Sequence, residues 1–431
     1  MGWHEIFNEK FMTVEKAAEF IKSGDVVWAG AFSSVAPQLV DAITDRYEEL
    51  ENVLLVGDFS AAPYKLFDDD KYLGHIEYET LFCGPFERAG MKKGNCRFSP
   101  VAFGSSLKSI VEAYKCKTVV CEVTEPDDEG YLYFGVSGVA WNGKVAAQAD
   151  KIIVQINNCQ VPTAGWNHRI HVSEVTAICR YDHEIYQYIQ PPVTETDQQI
   201  ASYIIPFIPD GATVQIGIGG VANAVAYGLE RKKHLGIQTE MLTESLVHLA
   251  QIGAVDHDRV ITSFILGTQE VYDYALTGIP KLGPVDEIIT VDVAGKLPQF
   301  FAINACMMAD MTGQVCSESI GHRQFSGTGG QLDCVRSANM SKGGASFLCM
   351  NSRHKTKDGD YESNILLNLP AGQIVTVPRT DVMYIVTEQG IAELFGKSVE
   401  DRAKAMINIA HPDYRDELTR QAVDAGLIRS Y

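Results

Sequence analysis

The sequence is short of positive charge, and it has neither a long apolar run nor any paired-cysteine motif. Among 431 residues, 36 lysines and arginines face 55 aspartates and glutamates, a formal net charge of −19. That balance excludes a nucleic-acid backbone or an anionic membrane as the main partner. An anionic small molecule stays compatible, because a local site can oppose the global field. No stretch reaches the roughly 18 unbroken apolar residues of a spanning helix. Met1-Gly2-Trp3-His4-Glu5 has neither the basic start nor the apolar run of a secretory leader. Ile6 stands where myristoylation calls for Ser or Thr. The ten cysteines contain no C-x-x-C pair, and His168 and His171 form H-x-x-H without an adjacent carboxylate. Neither a disulfide framework nor a metal site is therefore expected. A G-x-S-x-G elbow for serine catalysis is also missing. The expectation is a cytoplasmic protein with reduced thiols. Its composition, 46% hydrophobic and 21% charged, is that of a globular chain long enough for two or three domains.

What is present is a repeated sentence. Thr13 caps a first helix, and Gly24-Asp25 ends it. Val26 to Ala29 then reads as a buried strand, Gly30-Ala31-Phe32-Ser33-Ser34 as a small-residue turn, and Pro37 to Ile43 as the next helix. About 187 residues later the pattern recurs. Gly211 to Ile216 is the strand, Gly217 to Gly220 the turn, and Val221 to Val225 the helix start. Two related α/β halves follow, divided at the Pro-rich stretch Gln190 to Thr194. Further strands are expected at Val53 to Val56, Thr118 to Val123, Lys151 to Ile156, Val260 to Phe264, Ile288 to Val293, Ser346 to Met350 and Met383 to Val386. They alternate with helical patterns, so the sheets are expected to be mostly parallel and covered by helices. Arg353 to Glu362 reads as an exposed loop.

Five segments can carry chemistry. Gly217-Ile218-Gly219-Gly220-Val221-Ala222 fits G-x-G-x-x-A between a strand and a helix, where bare N–H groups and the helix dipole favour an anion. Glu240, 21 residues after Gly219, completes a dinucleotide fingerprint if it binds a ribose. It is equally a candidate covalent nucleophile for an acyl or phosphoryl centre. Phe325 to Asp333 and Arg336 to Gly344 hold two small-residue loops around a helix; their N–H groups suit an oxyanion, and Arg336 and Lys342 suit phosphates. Asn304, followed by Asp310, Gly313 and Gln314, can hold a carboxylate or carbonyl, or serve a turn. Glu388 lies where the buried strand Tyr384 to Val386 runs into an acidic turn, with a helix expected from Gly390 to Leu394.

Taken together these motifs resemble the acetyl-CoA hydrolase/transferase family of class I CoA-transferases, and within it the 4-hydroxybutyrate CoA-transferases. The likeness is strongest over Gly211 to Glu240, Ile303 to Gly344 and Asp381 to Leu418, including Val386-Thr387-Glu388-Gln389-Gly390-Ile391-Ala392-Glu393-Leu394-Phe395-Gly396-Lys397 and His411-Pro412-Asp413-Tyr414-Arg415. The resemblance implies tandem CoA-transferase-like α/β domains at residues 1–190 and 191–431, with the chemistry in the second. It implies Glu240 as the catalytic glutamate, and Gly217, Ile218, Gly219, Gly220 and Val221 as the CoA-contacting loop, with the Val221 N–H at an oxyanion site. Asn304 matches a substrate-orienting Asn, Gly329-Gly330-Gln331 a loop facing the thioester, and Glu388 an auxiliary carboxylate; Lys342 is carried over as a CoA contact. The implied reaction moves CoA between a short-chain acyl-CoA (4-hydroxybutyryl, butyryl or acetyl) and a carboxylate such as acetate through glutamyl anhydride and glutamyl-CoA intermediates. CoA is then a substrate, no resident cofactor is needed, and a homodimer or dimer of dimers is implied. Acyl-CoA hydrolysis and an NAD-dependent oxidoreductase stand as alternatives. The departures from the family lie in the first half, at Gly30 to Pro37 and Trp166-Asn167-His168-Arg169, where they bear on the acyl pocket.

Overall fold

The computed structural model describes residues 2–429. Two short helices open the chain, α1 (Trp3–Lys10) and α2 (Val14–Ala18), and the Thr13 hydroxyl caps the second by accepting from the Lys16 N–H. A seven-stranded sheet follows, built from β1 (Val26–Phe32), β2 (Val53–Ser60), β3 (Ile76–Thr80), β4 (Cys96–Phe98), β5 (Thr118–Val123), β6 (Lys151–Ile156) and β7 (Ala177–Arg180). Its order is β7-β6-β5-β1-β2-β3-β4, parallel throughout. The helices between these strands include α3 (Pro37–Thr44), α4 (Pro85–Lys93) and α5 (Phe103–Lys108). Pro37 sits in the first turn of α3, where its missing N–H costs nothing.

Residues 181–194 then run without regular structure to α6 (Glu195–Ile204), where Thr194 and Asp197 form a capping box. The second sheet contains β8 (Thr213–Ile216), β9 (Leu235–Leu242), β10 (Val255–Ile265), β11 (Lys281–Leu282), β12 (Phe300–Ala305), β13 (Ala345–Cys349), β14 (Tyr384–Thr387) and β15 (Gly390–Glu393). Its order is β15-β14-β13-β12-β8-β9-β10-β11, and Ala164–Gly165 from the first half extends the β11 edge. Every pairing is parallel except β14 with β15. Two helices of this half matter below, α7 (Gly220–Gly228) and α8 (Gln331–Met340).

The two sheets match strand for strand. Each begins with a strand (β1 or β8) that has its immediate successor on one side and the fifth strand of its series on the other. That central position is a topological switch point, where the crevice outside the carboxyl ends of the strands accepts ligands. One buried apolar cluster spans both halves. Its bridge is aromatic: Phe32 at the end of β1 stacks on Phe264 of β10 at 4.2 Å, with Trp141 at 5.9 Å from Phe32 and 6.0 Å from Phe264.

Four local expectations are corrected. Ile288 to Val293 is not a strand but a run of turns between two short 3₁₀ segments; Ile288 and Ile289 are fully buried there, so a β-branched run recorded burial rather than extension. Arg353 to Glu362 is not a plain loop, because Arg353–Lys355 pairs antiparallel with Tyr361–Ser363. Gly390 to Glu393 is the hairpin strand β15, not a helix. The first strand runs on through Gly30 to Phe32, so the turn begins at Ser33. Among the described residues all ten cysteines are unpaired, no helix is long and apolar enough to cross a membrane, and no group of three metal-ligating side chains forms.

Candidate active site

At the switch point of the second sheet, β8 ends at Ile216 and β12 carries Asn304 beside it. The Gly217 N–H donates to the Ile303 carbonyl at 2.9 Å, and a Cβ on Gly217 would lie 3.1 Å from Asn304 Oδ1. Gly219 has φ +106°, a conformation that a side chain rarely adopts, and it starts α7. Gly220 has no room for a Cβ, because the Asp197 carboxyl of α6 is packed against it. The N–H groups of the first turn of α7, Val221 included, lack intrahelical acceptors and carry the positive end of the helix dipole beyond the carboxyl end of β8. The Gly219 N–H itself is held by Gln190 Oε1 at 3.2 Å, an atom that also accepts from Asn223 Nδ2 at 2.9 Å.

Glu240 is on the adjacent strand, β9, between positions paired to Thr262 and Phe264 of β10. The Thr262 hydroxyl donates to its backbone carbonyl at 3.1 Å. Its carboxyl oxygen Oε2 is buried and has no hydrogen-bond partner. Burial foremost, and the Asp333 carboxylate second, push the Glu240 carboxyl up to about 8, while the Gly330 N–H beside it favours the charged form. A desolvated carboxylate is a stronger nucleophile than a hydrated one, since no water must be stripped from it before attack.

The loop Phe325 to Gly330 seats that N–H. Gly329 has φ +56°, and its carbonyl accepts from the Phe103 N–H at 2.9 Å, next to a parallel bridge between Ala102 and Gly329. Three residues into α8, Asp333 Oδ2 accepts from the Gly104 N–H at 2.9 Å. A Cβ on Gly104 would come within 2.8 Å of the Asp333 carboxyl, so this closeness requires glycine. The first half is thus stitched to the second within a few residues of Glu240, and the candidate site lies on that seam.

The remaining predicted residues divide by position. Asn304 and Gln215 form a reciprocal amide pair, Nδ2 to Oε1 at 2.9 Å and Nε2 to Oδ1 at 3.2 Å. Gln331 donates to the Ala305 carbonyl at 2.7 Å, and its Oε1 is buried without a partner. Ile218 is exposed at the tip of the glycine loop. Glu388 is at the end of β14, four strands from β9, roughly 19 Å along a sheet with about 4.8 Å between strands. Burial alone would push it up, but the N–H and O–H of Ser352 hold its carboxyl below the ordinary value. Lys342 is exposed two residues beyond α8, at the amino edge of the sheet, so the length of that helix separates it from Gly330. Arg336 pairs with Asp381 at 3.2 Å. The structure therefore brings Glu240, Gly330, Asn304 and the Gly217–Val221 loop to the carboxyl ends of β8, β9 and β12, and sets Glu388 and Lys342 apart. Gly104, Gln190 and Gln215 were missed as site residues, and Asp333 was read only as the end of the segment Phe325 to Asp333. Their partners are distant in sequence, and no local motif marks them.

The raised Glu240 carboxyl has a pH consequence. If the ionised form attacks, kcat/KM should rise through pH 8, and D333N should move that rise to lower pH by removing the like charge. Folding raises the carboxyl from 4.5 to about 8, so the native state keeps a proton that the unfolded chain has released. This contribution to stability is complete below pH 4.5 and is lost as pH climbs to 8; E240Q should flatten that slope. Rate profiles and thermal melts across pH 5–9 check both. A profile that turns over near pH 4.5 would contradict the assignment.

Comparison with known proteins shows the family. Residues 2–190 match the acetyl-CoA hydrolase/transferase N-terminal domain and residues 267–422 the corresponding C-terminal domain. The chain is 35% identical to a succinyl-CoA:cyclohexane-1-carboxylate CoA transferase of Geobacter metallireducens, over 98% of this chain and 97% of that one. It is 34% identical to a 4-hydroxybutyrate coenzyme A transferase of Clostridium kluyveri, over 98% and 99%. Among solved structures, RipA from Yersinia pestis superposes with a TM-score of 0.92 at 30% identity, over 99% of this chain and 100% of that one. By sequence along both halves and by fold, the chain belongs to the acetyl-CoA hydrolase/transferase family.

Proposed function

We propose that the protein transfers CoA between a short-chain acyl-CoA and a carboxylate, with Glu240 as the covalent nucleophile. The observation that carries this reading is the Glu240 carboxyl at the switch-point crevice, with Oε2 buried and the Gly330 N–H beside it. A Glu240 oxygen attacks the thioester carbonyl, the C–S bond breaks, and CoA leaves as thiolate, giving a mixed acyl-glutamyl anhydride. The thiolate attacks the glutamyl carbonyl of that anhydride, forming glutamyl-CoA and releasing the first carboxylate. An incoming carboxylate attacks the glutamyl thioester and expels the thiolate. The thiolate then attacks the new acyl carbonyl and restores Glu240. Each step passes through a tetrahedral oxyanion, for which the N–H groups of Gly330 and Val221 are the donors. Asn304 orients the acyl carbonyl once its pair with Gln215 opens. The Gly217–Val221 loop and the dipole of α7 hold the anionic part of CoA, a local exception to the −19 charge.

The test is acyl-CoA consumption with and without added acetate. Transfer predicts loss of acyl-CoA only with the carboxylate and formation of acetyl-CoA. Acetate-independent loss would make the protein a hydrolase using the same carboxylate. Tight NAD(H) binding without any acyl-CoA turnover would restore the dinucleotide reading of Gly217 to Ala222.

A further inference from the structure

Asp58 near the end of β2 is fully buried, and neither of its carboxyl oxygens has a hydrogen-bond partner. Two other carboxylates in the first half are equally buried, and both are satisfied. Glu87 accepts from the Ser60 and Gly84 N–H groups. Glu122 is bonded by Gln155, Asn157, Gln160 and His183. A buried polar group left without a partner is rare enough to need an explanation.

Its position supplies one. In the strand-for-strand match of the two sheets, β2 stands where β9 stands, so Asp58 is the first-half counterpart of Glu240. Asp58 lies two residues beyond Val56, where the β1–β2 ladder is irregular, and its carboxyl is close enough to Glu240 for the two charges to interact. Its paired residue on β1 is Ala31, immediately before Phe32. The next residue, Phe59, packs against Phe32 at 5.3 Å and Phe82 at 6.3 Å. Phe82 in turn closes on Gly329, whose absent Cβ would meet its ring at 3.2 Å. A chain of aromatic contacts thus leads from the Gly329–Gly330 loop at Glu240 through Phe82 to Phe59, the residue next to Asp58.

Resting on the transferase reading above, we propose that Asp58 is a specificity-determining residue that hydrogen-bonds a hydroxyl on the acyl chain, so that the enzyme prefers short hydroxyacyl groups to alkyl groups of the same length. Burial first, then the carboxylates of Glu87 and Glu240, raise the Asp58 carboxyl well above the carboxylate range, against a smaller pull from the neighbouring Phe59 N–H. It therefore offers one O–H donor and one acceptor, the complement of a hydroxyl. A second carboxylate on the substrate would add negative charge beside Glu87 and Glu240, which disfavours dicarboxylic acyl groups. An alkyl chain would leave the carboxyl as unpaired as it is now. A site built to bond a hydroxyl discriminates strongly against the analogue that lacks it.

The experiment compares kcat/KM for 3- and 4-hydroxybutyryl-CoA with butyryl-CoA, using acetate as acceptor, in wild type, D58N and D58L, each checked for folding by circular dichroism. Wild type should prefer at least one hydroxy isomer by about 10-fold or more. D58N keeps a donor and an acceptor and should retain most of that preference, whereas D58L should bring the ratio to about 1 or below. A purely structural Asp58 would alter stability and leave the ratio untouched. A wild-type ratio near 1, or a preference that survives in folded D58L, overturns the proposal. Should D58L not fold, the wild-type ratio and its retention in D58N decide. No transfer from any of the three donors overturns the transferase reading, and this proposal with it.

Discussion

An E240Q enzyme is expected to lose about 10⁴-fold or more in kcat/KM for CoA transfer, the scale seen when a covalent nucleophile is removed. The amide is isosteric, so it fills the pocket where Glu240 Oε2 now lies buried without a partner. Removing the charge should not unfold the protein, because burial already disfavours it. Melting temperature should hold or rise, most clearly above pH 8, while turnover vanishes. CoA affinity should persist, since the glycine loop and α7 are untouched. Steady-state kinetics paired with CoA titration reads all three, and E240Q turnover within tenfold of wild type would remove Glu240 from the mechanism.

The second large effect is expected at Gly330. A methyl there would be driven onto Glu240 Oε2, with the glutamate carboxyl carbon and Ile289 Cδ1 each only 2.8 Å away. The carboxylate is the free end of a flexible side chain, so the fold can tolerate G330A by swinging it aside. The reaction cannot, because the carboxylate would leave both its oxyanion donor and its line of attack. The expected loss is about 10²–10³-fold in kcat, typical of losing one oxyanion donor or of a misplacement of about 1 Å. Stability should change far less. Equal losses of activity and folding would show that Gly330 serves packing alone.

Much of this site was legible because its signals are local. Strand, glycine turn and helix follow one another within 211–228, and β9 brings Glu240 to the same edge 12 residues later. What escaped was the seam. The Asp333–Gly104 bond joins residues 229 apart, and nothing near either one announces the other. Gln190 was read as part of a boundary, yet its side chain holds the Gly219 N–H. The resemblance implied Glu388 as an auxiliary carboxylate and Lys342 as a CoA contact, and a linear pattern carries no information about strand order. Sheet order sets Glu388 four strands away and leaves Lys342 at the opposite edge. Ile288 to Val293 misled for a related reason: β-branched residues mark burial, and here the buried chain turns. Asp58 could not be singled out at all. One aspartate among 55 acids becomes notable only when its environment shows that both oxygens are unpaired.

The central claim is that the acyl group and CoA pass through Glu240 itself. Incubation with acyl-CoA followed by borohydride or hydroxylamine, then peptide mass spectrometry, tests it most directly. A trapped glutamyl thioester predicts a mass change confined to the peptide carrying Glu240 and dependent on acyl-CoA. An unmodified Glu240 under conditions of full turnover would contradict the account.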